Sequence, residues 1–558
     1  MSFSGSETMD LKNTTGKLLK GDVKGVAADL KKGLEPTVGL VGVIIISLAS
    51  MVGSGLFVLP GFAATIMGPG IWLAYLLAAI VVFPGAISKA EISSAIPETG
   101  GTYVYLERAY GPLFGTISGL GLWASFLLKS AFALIGFSAY LHFVSNYYEF
   151  TIDTTTYAIY ALVLITILNI FGVKKIKAFQ APILIVTMLA ICIVAIYSLF
   201  LDTTDLASPW NSAMDAEYAN IASASAFVFV AYAGVIKVTA IGGEVKEPGR
   251  NLPSSIIVSL VIATILYCSL TYIMMASLQG EWWLNSDGTT NEAPIYLFVD
   301  GVIGIEIAVL VATLAVLTMI SGALAGLLAS SRFLFAMARD NLLPTALENV
   351  NARYETPHWP ILITGGLMAL AILVLPVEDV AKLASGFQIM VYILMCGTVF
   401  IFRRANKIHG NYNPEYSSPL YPTMQIFGIV AGCILLIIMG SKGIIGAGGA
   451  IIAGAINYYA YGKKHATDRV TPFQTFTQMF ANPSPNEHEL RVKVFHAADM
   501  GGKNHLNFSE FRHAMHTLNF NFSNDEMRDI FHHADDDADG VIDIDDFIMA
   551  YENVVENE

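Results

Sequence analysis

The chain has 558 residues, 54% of them hydrophobic and 14% charged, with a mean hydropathy of +0.59. That balance excludes an ordinary soluble globular domain and requires a body embedded in lipid. The formal net charge of −14 is concentrated at one end: from His465 onward 18 Asp and Glu stand against 6 Lys and Arg, which leaves the rest near neutral.

Residues 1–37 carry Lys12, Lys17, Lys20, Lys24, Lys31 and Lys32 without a secretory pattern. They read as a cytoplasmic segment, either an amphipathic helix lying on the membrane or a solvated basic arm. A bilayer core about 30 Å thick takes roughly 20 apolar residues of helix. Twelve such runs follow, near 38–66, 71–93, 113–144, 155–172, 180–201, 220–243, 254–277, 304–336, 360–376, 381–402, 421–441 and 444–461. These are spans 1 to 12 of a transporter domain over 38–462. The four cysteines, Cys192, Cys268, Cys396 and Cys433, fall inside apolar runs as small buried hydrophobes.

Lys and Arg set the expected direction. Arg108, Lys174, Lys175, Lys177, Lys246, Arg250, Arg339, Arg353, Arg403, Arg404, Lys407, Lys463 and Lys464 alternate with segments 67–70, 145–154, 202–219 and 278–302, which hold no basic residue. Lys442 is a minor exception. The expectation is an integral protein of the plasma (inner) membrane with both termini cytoplasmic.

Two spans contain interruptions. Gly53 and Gly55 lie near the centre of span 1, and Phe229-Val-Ala-Tyr-Ala-Gly234 near the centre of span 6. A glycine inside a helix costs about 1 kcal/mol relative to alanine, and a single one most simply marks close helix packing. Two interruptions five spans apart fit two inverted five-helix repeats, each opened by a discontinuous helix. Freed N–H groups there hold a carboxylate and freed carbonyls hold an ammonium, so the backbone of an amino acid finds partners without a charged side chain. The candidate substrate residues are Val52, Gly53, Ser54, Gly55, Phe229, Ala231, Tyr232, Ala233 and Gly234.

Several motifs carry a resemblance: Gly53-Ser-Gly-Leu-Phe57, Pro97-Glu-Thr-Gly-Gly-Thr-Tyr-Val-Tyr105, Ala231-Tyr-Ala-Gly234, Gly243-Glu-Val-Lys-Glu-Pro-Gly-Arg-Asn-Leu-Pro253 and Arg332-Phe-Leu-Phe-Ala-Met-Ala-Arg-Asp-Asn-Leu-Leu-Pro344. In order and spacing, residues 36–462 resemble the amino acid–polyamine–organocation superfamily. The resemblance implies an all-α membrane protein with a leucine-transporter-like 5+5 inverted repeat plus two helices. It also implies alternating access and an amino acid held at the two breaks. Three positions depart from family patterns. Ile236 replaces a glutamate of cation-handling members, Thr187 stands where several proton-coupled relatives have a lysine, and Ser321-Gly322 offers one of two paired hydroxyls of the sodium-coupled pattern.

Ionisable groups at membrane depth are costly and usually functional. Lys129 in span 3 either titrates or replaces a coupling cation, or else pairs with backbone carbonyls or reaches a water-filled vestibule. Lys237 lies a turn past the span 6 interruption and can snorkel to the interface. Glu91, near the end of span 2, reads as the partner of a basic residue. With Ser321 these are the ion-coupling candidates. The glycines 443, 446, 448 and 449 lack nucleotide-loop spacing and read as helix packing. No enzyme motif appears, nothing marks a nucleic-acid partner, and nothing sets an oligomeric state.

Residues 463–486 are polar and read as a linker to a small α-helical EF-hand domain at 487–558. Asp535, Asp537, Asp539, Asp543 and Asp546 hold positions 1, 3, 5, 9 and 12 of a calcium loop, with Gly540 at the turn and the Val541 carbonyl as a further ligand. The expected cofactor is Ca²⁺, with Mg²⁺ competing at the same site because Asp546 is shorter than the usual glutamate. Asp499–Glu510 frames a second hand with Lys503 and Asn504 at positions 5 and 6, which reads as a structural mate.

The expected function is secondary transport of an amino acid, neutral cargo favoured, with proton coupling and calcium regulation as possible additions. The alternatives are a non-transporting receptor that signals through the tail, and an exchanger without ion coupling.

Overall fold

A computed structural model describes residues 38–96, 101–150, 153–172, 177–351, 354, 356–409, 412–466, 471–481, 487–499, 503–517, 524–535 and 540–557. The N-terminal segment, residues 97–100, Asp537 and Asp539 lie outside the described residues, as does the side chain of Lys237.

Among the described residues eight helical stretches are long and apolar enough to cross a bilayer, and Leu40–Met51, Pro182–Ser198, His358–Val374 and Thr423–Ile438 are shorter apolar helices. Leu40–Met51 and Ser54–Met67 are the two halves of span 1; Gly68, with φ of 71°, ends the second half before span 2 at Ile71–Ala95. Spans 3 to 5 are Pro112–Tyr147, Thr154–Phe171 and Lys177–Ser198. Span 6 starts at Tyr218; spans 7 to 10 are Pro248–Ser277, Ile305–Arg339, His358–Val374 and Val377–His409. Spans 11 and 12 are Thr423–Ile438 and Gly440–Asn457. The twelve-helix expectation therefore holds.

Packing reveals the repeat. Span 1 lies on span 6, span 2 along span 7, span 3 along span 8 and span 4 against span 9, so each meets its counterpart five spans later. Spans 1, 2, 6 and 7 contact one another, as do spans 3, 4, 8 and 9. At the start of the bundle the Lys246 N–H donates to the Val38 carbonyl at 3.0 Å, and Ser47 and Ser259 share a hydroxyl bond of 2.7 Å, so the first half of span 1 is tied to spans 6 and 7. Outward faces stay apolar: Leu189, Ile193 and Ile196 of span 5 and Ile445, Ile452 and Ile456 of span 12 are exposed, as lipid contact requires.

The tail has its own core of Phe495, Leu506, Phe511, Met515, Phe531, Ile542 and Phe547. Its helices are Glu487–Ala498, Phe508–Thr517, Asn524–Ala534 and Ile544–Asn557. Leu506 and Ile542 exchange two backbone hydrogen bonds of 2.8 Å and join the two loops. Within the polar segment 463–486, Pro472–Ala481 forms a helix packed on span 10 and on Thr102–Tyr110. Thr471 Oγ1 accepts from the Gln474 N–H and Gln474 Oε1 from the Thr471 N–H, a capping box that starts this helix. Phe473 then sits against Tyr110 and Phe114, with ring centroids 5.5 and 5.7 Å away.

Candidate substrate site

The inner half of span 1 stops at Met51. Val52 is extended (φ −73°, ψ 125°), Gly53 is extended too (φ 167°, ψ −131°), and helix resumes at Ser54. Among the described residues no backbone acceptor meets the N–H groups of Gly53, Ser54 or Gly55. Open space fronts Gly53: a β-carbon built there meets nothing within 4 Å.

Span 6 behaves differently. Its α-helix ends at Val228 and continues as a 3-10 helix from Phe229 to Glu244. Runs of 3-10 helix beyond three or four residues are uncommon and mark hinges or functional sites. The expected interruption is thus a tightened coil rather than an extended gap, and it begins two residues before Ala231.

The two interruptions meet backbone to backbone. A β-carbon on Gly234 would lie 2.4 Å from the Met51 nitrogen, and one on Gly55 would lie 2.9 Å from Ala231 Cβ. Glycine is required at both positions by close approach. Ser50 Oγ donates to the Gly234 carbonyl at 2.8 Å.

Buried tyrosines cap one carbonyl at the break and two beside the irregular Val58 that follows it. Tyr267 Oη donates to the Met51 carbonyl (2.8 Å), Tyr75 Oη to Gly55 (2.7 Å) and Tyr140 Oη to Phe57 (2.7 Å). Tyr232 Oη donates to the Tyr75 carbonyl at 3.0 Å and stands edge-on to Tyr267, while Phe229 stands edge-on to Tyr392. Val52, Ser54, Ala231 and Ala233 are buried around the same junction.

Lys129 reaches this junction from span 3. Its Nζ donates to the Val230 carbonyl at 3.2 Å and to the Ser50 carbonyl at 3.5 Å, one from each interrupted span. The other coupling candidates lie elsewhere. Ser321 is half-buried on span 8, one turn from Thr318, whose hydroxyl bonds to Thr187 of span 5 at 3.1 Å. Glu91 is fully buried and takes both arms of Arg403 at 2.7 Å, the Tyr412 hydroxyl at 2.9 Å and the Ser418 N–H at 2.8 Å. That set joins span 2 to span 10 and to the connection after it.

Sequence reasoning overlooked Lys89, fully buried beside Glu91 and donating to Thr102 Oγ1 at 2.7 Å. The signal was present: a lysine at 89 two residues before Glu91, and a threonine in the Gly100-Gly-Thr102 motif. It also overlooked Tyr75, Tyr140 and Tyr267, although a tyrosine in an apolar span needs a carbonyl for its hydroxyl.

In the tail, Gly540 adopts φ of 83° and its N–H donates to Asp535 Oδ2 at 3.0 Å. The first loop repeats this turn with Asn504, whose φ is 60° and whose N–H donates to Asp499 Oδ2 at 2.7 Å. Asn507 and Asp543 cap their following helices alike, accepting from Glu510 and Asp546 N–H at 3.1 and 2.9 Å. The carboxylate donors and the turn of the second loop fit a hard cation such as Ca²⁺.

A sequence profile for amino acid permeases matches residues 42–450, and one for EF-hand domain pairs matches 489–552. The chain is 25% identical over 456 residues to the branched-chain amino acid permease of Bacillus subtilis, covering 78% of this chain and 95% of that protein. It is 28% identical to the serine/threonine exchanger of Bacillus subtilis, over 72% of this chain and 91% of the exchanger. The methylthioribose transporter of Bacillus subtilis is 25% identical, over 79% of this chain and 96% of that transporter.

Proposed function

The chain belongs to the amino acid permease family, and we propose that it is a secondary transporter of a small neutral amino acid that works by alternating access. The cargo's carboxylate lies against the N–H groups of Ser54 and Gly55, and its ammonium against break carbonyls that include Ser50 and Val230. One observation carries this reading: two interrupted spans meet backbone to backbone beside the open space at Gly53. Peptide dipoles supply both partners there. The relatives named for branched-chain amino acids and for serine and threonine support neutral cargo. Radiolabelled uptake into proteoliposomes across the twenty amino acids tests the reading. Saturable flux of a neutral amino acid into empty or preloaded vesicles is expected; binding without flux into either would instead make the chain a receptor.

Alternating basic segments support cytoplasmic termini, and the membrane of this reading is the plasma (inner) membrane. Saturation of Glu91 by Arg403, Tyr412 and Ser418 supports a structural role for it rather than ion coupling. In the tail, Asp535, Asp537, Asp539, Asp543, Asp546 and the Val541 carbonyl hold Ca²⁺. The helix Pro472–Ala481 on span 10 gives that lobe a mechanical path to the transporter. Uptake with internal Ca²⁺ clamped high or low checks regulation: the two rates differ in the wild type and converge in an Asp535→Ala, Asp537→Ala variant.

A further inference from the structure

Lys129 belongs to span 3, which packs with spans 4, 8 and 9, whereas its two acceptors belong to spans 1 and 6, which pack with spans 2 and 7. Its ammonium therefore ties one group of spans to the other through the two carbonyls that flank the breaks. Those are also the carbonyls to which the proposed function assigns the cargo's ammonium, so this inference rests on that reading. Two ammonium groups on one carbonyl pair repel each other at contact distance, so the cargo's ammonium and Lys129 compete for it.

We propose that Lys129 is a built-in competitor for the cargo's ammonium, and that this competition makes the protein an exchanger. Without cargo, Lys129 holds Ser50 and Val230 and keeps spans 1 and 6 fixed against span 3, so the empty carrier does not change sides. An arriving amino acid puts its own ammonium on the same carbonyls and displaces Lys129. The charged tie at the breaks is then released, which leaves the neutral Tyr140–Phe57 bond between spans 3 and 1, and the loaded carrier rocks. Return requires a second amino acid from the opposite side. Lys129 acts through backbone carbonyls and is a specificity-determining residue: cargo must bring an ammonium to release it. A carboxylate without an amine fits the N–H side of the site, leaves Lys129 in place and blocks the carrier without being carried.

The remaining surroundings support this assignment. Met51, Gly55 and Phe57 carbonyls are already capped by Tyr267, Tyr75 and Tyr140. These three hydroxyls carry no charge and do not compete with an ammonium. Lys129 is the cation that these bonds place at the junction.

The test uses full-length protein in proteoliposomes, with radiolabelled L-alanine, L-serine and L-leucine outside. Vesicles are either empty or loaded with the same unlabelled amino acid. The wild type is expected to take up label into loaded vesicles and barely into empty ones. Lys129→Met should raise uptake into empty vesicles by about tenfold or more, the scale on which losing hydrogen bonds to a charged group acts. Lys129→Arg, which retains the cation, should remain exchange-dependent and shows that the site tolerates substitution. Propionate, the des-amino counterpart of alanine, should inhibit wild-type exchange without itself entering, and should itself be carried by Lys129→Met. Equal wild-type uptake into empty and loaded vesicles overturns the inference, as does an unchanged ratio in Lys129→Met. No flux of any amino acid under either condition overturns the transport reading itself, and this inference with it.

Discussion

The two interrupted spans solve one problem in opposite ways. Span 1 opens: Val52 and Gly53 are extended, and the chain gives up helical hydrogen bonds on both sides of them. Span 6 tightens: from Phe229 onward the helix narrows to 3-10 geometry and never leaves the helical region. A narrower coil brings Gly234 against Ser50 and Met51, so that the opened segment is braced by a backbone surface without side chains. Unpaired peptide groups cost about 1–3 kcal/mol each when buried without partners. The tyrosines at 75, 140 and 267 and the lysine at 129 meet part of that cost on the carbonyl side.

The largest expected effect comes from forcing the two spans apart. Gly234→Val puts a branched side chain where Met51 N and Ser50 C lie 2.4 Å from the first carbon. Uptake should vanish, whereas a change at Gly448, which faces open space, should leave it intact. Gly55→Val should also abolish uptake, through Ala231 and Tyr267. Full activity of either variant would break the comparison at its root.

Next is the knot that fastens span 2 to span 10. Glu91→Gln leaves the half-buried Arg403 against a neutral amide, and because Arg403 keeps contact with solvent the cost stays below the about 3–5 kcal/mol of a fully buried pair. The thermal midpoint should fall by several degrees in detergent. An unchanged midpoint would show that Tyr412 and Ser418 suffice without the charge.

A smaller effect distinguishes the connection between spans 7 and 8 from the breaks. Burial pushes the Glu292 carboxyl, in the connection between spans 7 and 8, from 4.5 up to about 7. The folded protein therefore keeps a proton that the unfolded chain releases, and wild-type stability falls as pH rises from about 4.5 through about 7. Glu292→Gln removes that dependence, so its midpoint should gain on the wild type between about pH 5 and about pH 8. A constant difference across that range would show that the carboxyl is ordinary.

Most of this architecture was legible in the chain. Apolar length gave twelve spans, and Gly53 and Gly55 marked the place where span 1 opens. Span 6 was harder, because Phe229–Gly234 has no proline or paired glycine to separate a 3-10 coil from an α-helix. Its geometry is imposed by contact with span 1. The helix Pro472–Ala481 was hidden by polar composition, although Thr471-Pro-Phe-Gln474 is a capping box and Phe473, Phe476 and Phe480 recur at helical spacing. Asn504 stands in the first loop where the second has its turn glycine, Gly540. In the structure it takes the positive φ that glycine takes in the second, as asparagine does more readily than most residues. Tyrosine caps cannot be assigned from sequence, since the carbonyl each one meets lies on another span.

The central claim is that cargo sits in the space before Gly53, and Gly53→Ala tests it most directly. A methyl group there meets no protein atom within 4 Å and falls on extended backbone open to any residue. The fold should be unaffected, with an unchanged thermal midpoint in detergent. Because the methyl occupies the volume claimed for the amino acid, KM for the transported amino acid should rise by about tenfold or more, the scale of steric loss in a tight site. An unchanged KM at an unchanged midpoint would place the cargo elsewhere and contradict the account.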